Sequence, residues 1–389
     1  MDSRIPKRPV LDWGGRVKRG RAHLPSVATL PNRVNTTSGR AAIYHALRMA
    51  GLSAGDEVLV PTYHCPTMVA PLVMLGLQPL FYAVGEHGLP ELGGLECDRV
   101  RAARCMIVPH YFGLPRSLAD VREWCSEHGV VLIEDCAHAF YGMAGDRQVG
   151  AWGDYAIASM TKFFPVTEGG LLASITRPLE ISPLPNQGIR AELKGVFDML
   201  HMATRCGRMR GMGVVLEGLR GGWWRREAGA VQREPKFSAP EPQGVAISCD
   251  MGRVESAPLL STRVLFNLSS GDDACNTRRQ HFERYLNELS NLEGGRFLYP
   301  SPISGGAPYA FPLWVDDVER VYRRLRMRGV PVNRWDRLWP DTPVLEGDVG
   351  LRWSRHVLQV LCHQSLRDSE VSFVIKEIRE AIACQCEEG

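Results

Sequence analysis

The stretch GVVLIEDCAHAF, residues 129–140, decides the fold class. Its apolar run from Val130 to Ile133 is followed at once by the acidic pair Glu134 and Asp135. A short apolar run bounded by turn residues is typical of a strand that is buried on both faces. Similar runs in QPLFYAV and RCMIVPHYFG alternate with the helical patterns TMVAPLVMLGL and SLADVREWCSEHG. This alternation predicts an α/β fold with a mostly parallel central sheet sandwiched by helices.

Titratable side chains stand where three of these predicted strands end. Ligands bind beyond the carboxyl ends of the strands in such sheets, so these residues are candidates for a site. Each histidine taken alone is more often a structural hydrogen-bonding group, but several strand ends with such groups favour a functional site. The candidates are Tyr63, His64 and Cys65 at one end, His110 at the next, and Asp135 with His138 at the third.

A helix start supplies a further candidate in the segment TTSGRAAIYHALRMAG, residues 36–51. Ser38 is a suitable N-cap, and the apolar residues that follow recur at helical spacing. Free N–H groups and the helix dipole at such a start can bind an anion. An ordinary N-cap without a ligand explains the same residues equally well.

A single lysine, Lys162, lies downstream of the acidic pair in DYAIASMTKFFPVTEGGLLA, residues 154–173. A Thr-Glu-Gly-Gly turn and a further apolar run follow it. A lysine that follows an aspartate-bearing strand suggests a Schiff base to pyridoxal phosphate, with Asp135 holding the pyridinium nitrogen. The alternative is that Lys162 is a surface lysine and that Asp135 caps a loop.

Bulk properties exclude several classes of protein. The 389 residues are 44% hydrophobic and 23% charged, as in ordinary globular enzymes. A net charge of +3 is too small to indicate nucleic-acid binding. No apolar run approaches the roughly 20 residues of a membrane span, and the N-terminus lacks the apolar core of a signal peptide. Eleven scattered cysteines without a CxxC pair predict reduced thiols, no metal site and a cytoplasmic location.

We expect the chain to divide into four segments. Residues 1–30 form an extended lead that lies on another element or subunit, and residues 31–177 form the large cofactor-binding domain. Residues 178–244 are an insertion or linker rich in arginine and tryptophan. This segment fits either a helical lid at the domain boundary or a basic aromatic face for a membrane surface or an anionic substrate. Residues 245–389 form a smaller α+β domain.

The order of these motifs resembles the DegT/DnrJ/StrS family of pyridoxal-phosphate-dependent aminotransferases over nearly the whole chain. The segments that carry the resemblance are SGRAAIYHALRMAGLSAGDEVLVPTY, VPHYFGLP, VLIEDCAHAFYGMAGDRQVGAWGD, SMTKFFPVTEGGLLAS, PYAFPLWVDDVERVYRRLRMRGV and CHQSL. The resemblance implies the aspartate-aminotransferase-like fold, fold type I, and a homodimer that binds small-molecule substrates.

The same resemblance implies roles for individual residues. Lys162 would form the Schiff base and then move the substrate proton, Asp135 would pair with the pyridinium nitrogen, and His138 would lie near the ring. The remaining cofactor-binding candidates are Ser38, Gly39, Arg40, Cys65 and Ser159, and the substrate-facing candidates are Tyr63, His64 and His110.

Four departures from the family pattern indicate a divergent branch. Arg40 replaces the threonine of Ser-Gly-Thr, and Cys65 stands where many members carry an aromatic ring that stacks on the cofactor, so His64 is a candidate for the stacking ring. The spacing from Ser159 to Lys162 is shorter by two, and residues 250–254 lack the family's asparagine. These departures leave the substrate open.

Three functional hypotheses follow. The leading one is an aminotransferase that moves an amino group from an amino acid, glutamate above others, to a keto-sugar or other carbonyl compound in a biosynthetic pathway. The second is a pyridoxal-phosphate enzyme of another type, which dehydrates a substrate or acts on an amino acid in natural-product synthesis. The third is a non-catalytic regulatory protein that retains the fold, against which the intact Lys162 argues.

Overall fold

The computed structural model describes residues 5–13, 24–95, 100, 102–209, 211–213, 216, 236–238, 248–269, 271–299 and 306–383. The tryptophan pair of the predicted insertion, Trp223 and Trp224, lies outside these ranges, so neither interpretation of that segment is decided by the structure.

The central sheet is built from apolar runs of the kind seen in residues 130–135. Its strands, in chain order, are β1 (Asn32–Thr36), β2 (Glu57–Pro61), β3 (Gln78–Tyr82), β4 (Cys105–Pro109) and β5 (Val131–Asp135), then, after a hairpin of β6 (Met143–Ala144) and β7 (Arg147–Gln148), β8 (Tyr155–Ser159) and β9 (Gly170–Ser174). Their spatial order is β1-β9-β8-β5-β4-β2-β3. Strand β9 runs antiparallel to both neighbours, and the other pairs are parallel.

Helices cover both faces of this sheet, which explains the near-continuous apolar strands. They include α1 (Gly39–Met49), α2 (Pro66–Met74) and α3 (Ala119–Glu127). Successive residues of a strand point to opposite faces, so Leu132 joins one hydrophobic cluster and Ile133 the other. Each such fully buried side chain stabilises the fold by about 1.5–3 kcal/mol. The predicted α/β class with a mostly parallel sheet is confirmed.

The C-terminal part of the described chain forms a second, antiparallel sheet with its own helices. The elements between the two sheets are α4 (Ile189–Arg205), the pair β10 (Lys236–Ser238) and β11 (Ser248–Asp250), α5 (Leu260–Leu268) and α6 (Gly271–Glu288). The second sheet, in the order β12-β13-β15-β14, consists of β12 (Gly295–Phe297), β13 (Ala310–Val315), β14 (Val332–Asn333) and β15 (Val357–Leu361). Its helices are α7 (Val318–Met327), α8 (Gly350–His356) and α9 (Asp368–Ala383). The domain boundaries expected from the sequence remain a prediction.

Residues 5–13 of the N-terminal lead lie against the loop that follows β15. The Nε2 of His363 is 3.0 Å from the carbonyl oxygen of Pro6. The N–H of Val10 donates to Ser365 Oγ at 3.1 Å, and this hydroxyl donates to the Val10 carbonyl oxygen at 3.3 Å. Residues 5–13 thus lie on another element, while the lead as a separate segment of residues 1–30 remains a prediction.

Within the described ranges, no helix combines the length and the apolar character that crossing a bilayer requires.

Candidate functional site

A cavity of about 350 Å³ lies at the carboxyl ends of β4, β5 and β8. All of the candidate residues except Tyr63 and His64 line it, so the structure brings together residues from five separate segments of the chain. The candidates that line the cavity are Ser38, Gly39, Arg40, Cys65, His110, Asp135, His138, Ser159 and Lys162.

Asp135 is the last residue of β5 and is almost completely buried. Its Oδ1 accepts the N–H of Ala137 at 2.8 Å, which fixes the carboxylate and makes Oδ2 available to a donor in the cavity. Burial raises the pKa of Asp135, and the positive charge of Lys162 opposes that rise only in part. The position therefore favours a bound cation or an N–H group that restores the charged form.

Glu134, one residue earlier, is an internal anchor. Its carboxylate accepts the backbone N–H groups of Gly150 at 2.6 Å and Trp152 at 2.8 Å, and it lies 2.8 Å from His110 Nε2. Burial alone would raise the pKa of Glu134, but these hydrogen bonds outweigh it and hold the pKa below its ordinary value. The strand end thus uses one carboxylate for structure and presents the other to the cavity.

His110 is held in one orientation by its two ring nitrogens. Nε2 is hydrogen-bonded to Glu134, and Nδ1 accepts the N–H of Arg116 at 3.4 Å, which assigns the ring proton to Nε2. Ligand atoms of His110, Glu134 and Cys136 lie within 4.8 Å of one another. Hydrogen bonds within the protein account for this cluster, so it does not indicate a metal site.

Lys162 ends a short 3₁₀ turn, residues 160–162, directly after β8. Its Nζ lies 5.2 Å from the centroid of the Tyr309 ring, and its carbonyl oxygen accepts Nη2 of Arg278 at 2.7 Å. Burial lowers the pKa of Lys162, while the charges of Asp135 and Cys65 oppose the change. A lowered pKa increases the fraction of Lys162 that is a neutral amine, and this is the form that acts as nucleophile or base.

The paired glycines after Lys162 allow a close approach between backbones. Gly169 has φ +128°, and its N–H donates to the Thr37 carbonyl oxygen at 2.7 Å. A Cβ on Gly170 would lie 2.2 Å from the carbonyl oxygen of Ser38. Only glycine fits here, and the contact places the start of α1 beside the turn that carries Lys162.

The start of α1 provides the groups for an anion site. Ser38 is the N-cap, as predicted, and its Oγ accepts the N–H of Ala41 at 3.2 Å. The N–H groups of Gly39 and Arg40 belong to the first turn, where no helical acceptor exists. A Cβ placed on Gly39 would be 3.6 Å from the Ser159 Cβ, so the Ser159 hydroxyl lies next to this helix start.

His138 forms an aromatic wall with residues of the second sheet. Its ring stacks on Tyr309 with centroids 4.2 Å apart, and the ring of Trp335 is 5.0 Å away. Nδ1 accepts the N–H of Phe112 at 3.2 Å, which assigns the proton of the neutral ring to Nε2. Burial and the charge of Lys162 hold the pKa of His138 well below its ordinary value, so the ring is uncharged.

These groups fit pyridoxal phosphate as a ligand. A phosphate matches the helix start with its adjacent hydroxyl, a basic ring nitrogen matches Asp135, and an aldehyde matches the amine of Lys162. The three lie around one cavity whose volume falls in the usual range for small-molecule sites.

Tyr63 and His64 are not brought to the cavity. Tyr63 is fully buried among the rings of Tyr111, Trp335 and Trp353, and its Oη accepts an N–H of Gln359 at 3.3 Å. Its neighbour His64 is equally buried and stacks on a different ring. Both residues therefore contribute to packing rather than to the cavity wall.

The hydrogen bonds of His64 explain why it cannot serve as the stacking ring. Nδ1 lies 2.9 Å from the Pro61 carbonyl oxygen, and Nε2 accepts the N–H of Trp339 at 2.9 Å. The ring stacks on Phe81 with centroids 5.4 Å apart. Cys65, which follows it, does line the cavity.

Several lining residues were not predicted from the sequence. Glu168, in the Thr-Glu-Gly-Gly turn, accepts the N–H of Leu259 at 2.8 Å and Nη1 of Arg253 at 3.0 Å. Glu168 could have been found from the Thr-Glu-Gly-Gly motif, but no local pattern identified four other lining residues, which are distant from it in sequence. These are Arg8, Arg253, Tyr309 and Trp335.

Part of the chain is similar in sequence to known aminotransferases. Residues 22–190 match the model of the DegT/DnrJ/EryC1/StrS aminotransferase family. GDP-perosamine synthase of Vibrio cholerae is 28% identical over 169 residues, which cover 42% of this chain and 46% of that protein. L-glutamine:2-deoxy-scyllo-inosose aminotransferase of Streptomyces kanamyceticus is 31% identical over 148 residues, 37% of this chain and 34% of that protein. The chain thus matches less than half the length of these relatives.

Solved structures extend the similarity of fold over most of the chain. The aminotransferase TlmJ from Streptoalloteichus hindustanus matches with a TM-score of 0.63 and 21% identity, covering 91% of this chain and 87% of that one. PseC of Helicobacter pylori, an aminotransferase involved in the biosynthesis of pseudoaminic acid, matches with a TM-score of 0.63 and 13% identity, covering 91% of this chain and 88% of that one. The predicted fold type I is confirmed.

Proposed function

We propose that the protein is a pyridoxal-phosphate-dependent aminotransferase, and the match of residues 22–190 to the model of the DegT/DnrJ/EryC1/StrS aminotransferase family supports this. The observation that supports this most directly is the meeting of Lys162, Asp135 and the start of α1 around one cavity. A structural lysine would not need a buried carboxylate and an anion site beside it.

The residues divide the work of such a reaction between them. Pyridoxal phosphate, when bound, supplies a ring that accepts electrons from the substrate carbon. Lys162 would hold the cofactor and would move a proton at the substrate carbon, for which its lowered pKa suits it. Asp135 would stabilise the positive charge at the ring nitrogen, and the N–H groups of Gly39 and Arg40 would bind the phosphate. The neutral His138 forms a wall without adding charge.

We assign an amino acid, glutamate above others, as the donor and a keto-sugar or related carbonyl compound as the acceptor. The names of two relatives support an amino-acid donor and a sugar-like acceptor, because one names L-glutamine with 2-deoxy-scyllo-inosose and the other names GDP-perosamine. The pathway would be biosynthetic.

The visible absorption of the purified protein supplied with pyridoxal phosphate tests the proposal. We expect a yellow band that disappears with L-glutamate and returns with 2-oxoglutarate. Lys162→Ala should abolish the band, whereas Lys376→Ala, which removes an exposed lysine on α9, should leave it unchanged. A protein that takes up no cofactor would contradict both enzyme hypotheses and favour the non-catalytic one.

A second candidate is a pyridoxal-phosphate enzyme of another reaction type. The guanidinium of Arg40 and the thiol of Cys65 in the cavity wall favour it, since both depart from the family pattern. A band that resists every amino-group donor but changes with another amine would support this candidate.

We also propose that the protein is a homodimer in the cytoplasm. Large apolar side chains are exposed on the neighbouring helices α4 and α5, among them Ile189 at 76% and Leu260 at 56%. The two helices are joined by Glu192, which accepts the N–H of Leu260 at 2.7 Å. An apolar face of this kind favours contact with another protein surface. The described cysteines are free thiols, which supports a reducing compartment.

A further inference from the structure

Arg8, in the N-terminal lead, reaches the candidate site from outside the large sheet. It lines the cavity that contains Asp135 and Lys162. It also lines a smaller cavity of about 220 Å³ with Lys162 and Tyr309, and a larger one of about 1220 Å³ that adjoins both. Arg8 therefore lies at the junction of the three spaces and within the immediate surroundings of Lys162.

The backbone around Arg8 is fixed on both sides. Pro6 is hydrogen-bonded to His363, and Val10 is hydrogen-bonded twice to Ser365. Pro9 follows Arg8 directly and restricts its backbone to extended conformations. A side chain on a segment held in this way loses little further freedom when it binds a ligand.

The hydrogen bonds that the guanidinium of Arg8 makes within the protein are weak. Its Nε donates to the sulfur of Met202 at 3.3 Å, and its Nη1 to the carbonyl oxygen of Thr167 at 3.5 Å. A thioether is a weak acceptor, and 3.5 Å is at the limit for a hydrogen bond.

The charge of Arg8 is also only partly compensated. Burial lowers the pKa of Arg8, and the charge of Asp198, itself 2.8 Å from Lys194, offsets this only in part. Arginine remains charged in proteins even so, and its planar group matches a carboxylate in two parallel hydrogen bonds. An anionic ligand would complete this site.

We propose that Arg8 binds the carboxylate carried by the reacting carbon of the amino donor. This inference rests on the proposed aminotransferase function. The carboxylate of an amino acid is attached to the carbon that bears the reacting nitrogen, so it must lie beside Lys162, where Arg8 lies. A phosphate group on the acceptor would be more distant and would meet the basic residues of the larger cavity, Lys194, Arg205 and Arg326.

The donor half of the reaction tests this assignment without knowledge of the acceptor. In Arg8→Gln we expect the yellow band to form normally, and the rate of its loss at subsaturating L-glutamate to fall about 10- to 100-fold. Arg8→Lys should recover part of that rate, because it keeps the charge but not the planar group. Arg323→Gln, a matched change of an exposed arginine on α7, should react as the wild type does.

Two further measurements separate carboxylate binding from a general effect on the site. Calorimetric titration with glutarate, which has no amino group to react, should show a dissociation constant about tenfold or more weaker in Arg8→Gln. n-Butylamine, which has no carboxylate, should react equally with the wild type and Arg8→Gln. An equal loss of rate with butylamine, or unchanged glutarate binding, would overturn the assignment.

The outcomes distinguish this inference from the proposed function. A wild-type band that no amino acid removes contradicts the aminotransferase itself. A wild-type band that glutamate removes, with Arg8→Gln responding at the same rate and the same concentration, overturns the role of Arg8 alone.

Discussion

At Asp135 and Lys162, burial drives each side chain toward its neutral form and the opposite charge resists it. The residue types and their order on the chain were enough to predict this pair. Few classes of enzyme use an aspartate at the end of a strand together with a lysine before a Gly-Gly turn. In the structure both residues line the same cavity.

We also expected Tyr63 and His64 to face the site, because they follow the carboxyl end of a strand. The structure places neither of them at the cavity. Which way a side chain turns beyond a strand depends on partners that are distant in sequence. Tyr63 packs against Trp353, and His64 is hydrogen-bonded to Trp339. A local pattern contains no information about those partners.

The buried ring of His64 should make stability depend on pH. Burial lowers the pKa of His64 to about 4, although hydrogen bonds to Pro61 and Thr62 oppose the shift. Below its ordinary pKa of 6.5 the unfolded chain binds a proton that the folded chain does not, so stability falls as pH drops from about 6.5 toward 4, by up to about 3 kcal/mol. Above pH 6.5 this contribution is fully present.

Urea unfolding at a series of pH values measures this effect. We expect His64→Gln to reduce the slope of unfolding free energy against pH, between pH 6.5 and 4, by close to one proton. His87→Gln, which changes an exposed histidine, should leave the slope as it is. A slope unaltered in His64→Gln would mean that His64 is not the source of the pH dependence.

Among the elements, β9 illustrates what pattern alone could and could not predict. Its apolar sequence indicated a buried run. An apolar pattern does not determine in which direction a strand runs or which strands it pairs with. The structure places β9 antiparallel between β1 and β8, where Gly170 touches Ser38. Helix α8 was not predicted either, since its seven residues are too few for a clear period.

The contact of β9 with the start of α1 leads to a prediction at this scale. Gly170→Ala would place a methyl group 2.2 Å from a backbone oxygen, which cannot move without shifting the helix start. We expect a loss of about 1–3 kcal/mol in unfolding free energy. Gly93→Ala, at a glycine with nothing within 4 Å of the added carbon, should change it by less than about 0.5 kcal/mol. Equal effects of the two changes would contradict this account.

For the whole molecule, the apolar face of α4 and α5 predicts the state of assembly. Leu193, on α4, is 49% exposed among other apolar side chains of these helices. A charge there would have to be buried without a partner in a dimer. We expect light scattering to give twice the chain mass for the wild type and the single chain mass for Leu193→Asp.

The control for this experiment is a similar change far from α4 and α5 in sequence. Val344, which precedes α8, is even more exposed, and Val344→Asp should leave the mass of the assembly unchanged. A wild type that scatters as a single chain would rule out the dimer.

The two-sheet architecture could be predicted from the sequence, because apolar runs that alternate with helical patterns are typical of sheets covered by helices. The wall formed by Tyr309 and Trp335 could not, since these residues meet His138 only through packing of the second sheet on the first. The position of Arg8 at the cavity could not be predicted for the same reason. Its approach to Lys162 depends on a loop near the other end of the chain.

The hydrogen bond between Val10 and Ser365 spans 355 positions of sequence, and that between Pro6 and His363 spans 357. The two segments can therefore meet only after most of the chain between them has become compact. Contacts of such long sequence separation form slowly because the intervening chain must first be ordered. A chain that refolds in the presence of pyridoxal phosphate should therefore develop its yellow band before that band responds fully to an amino acid.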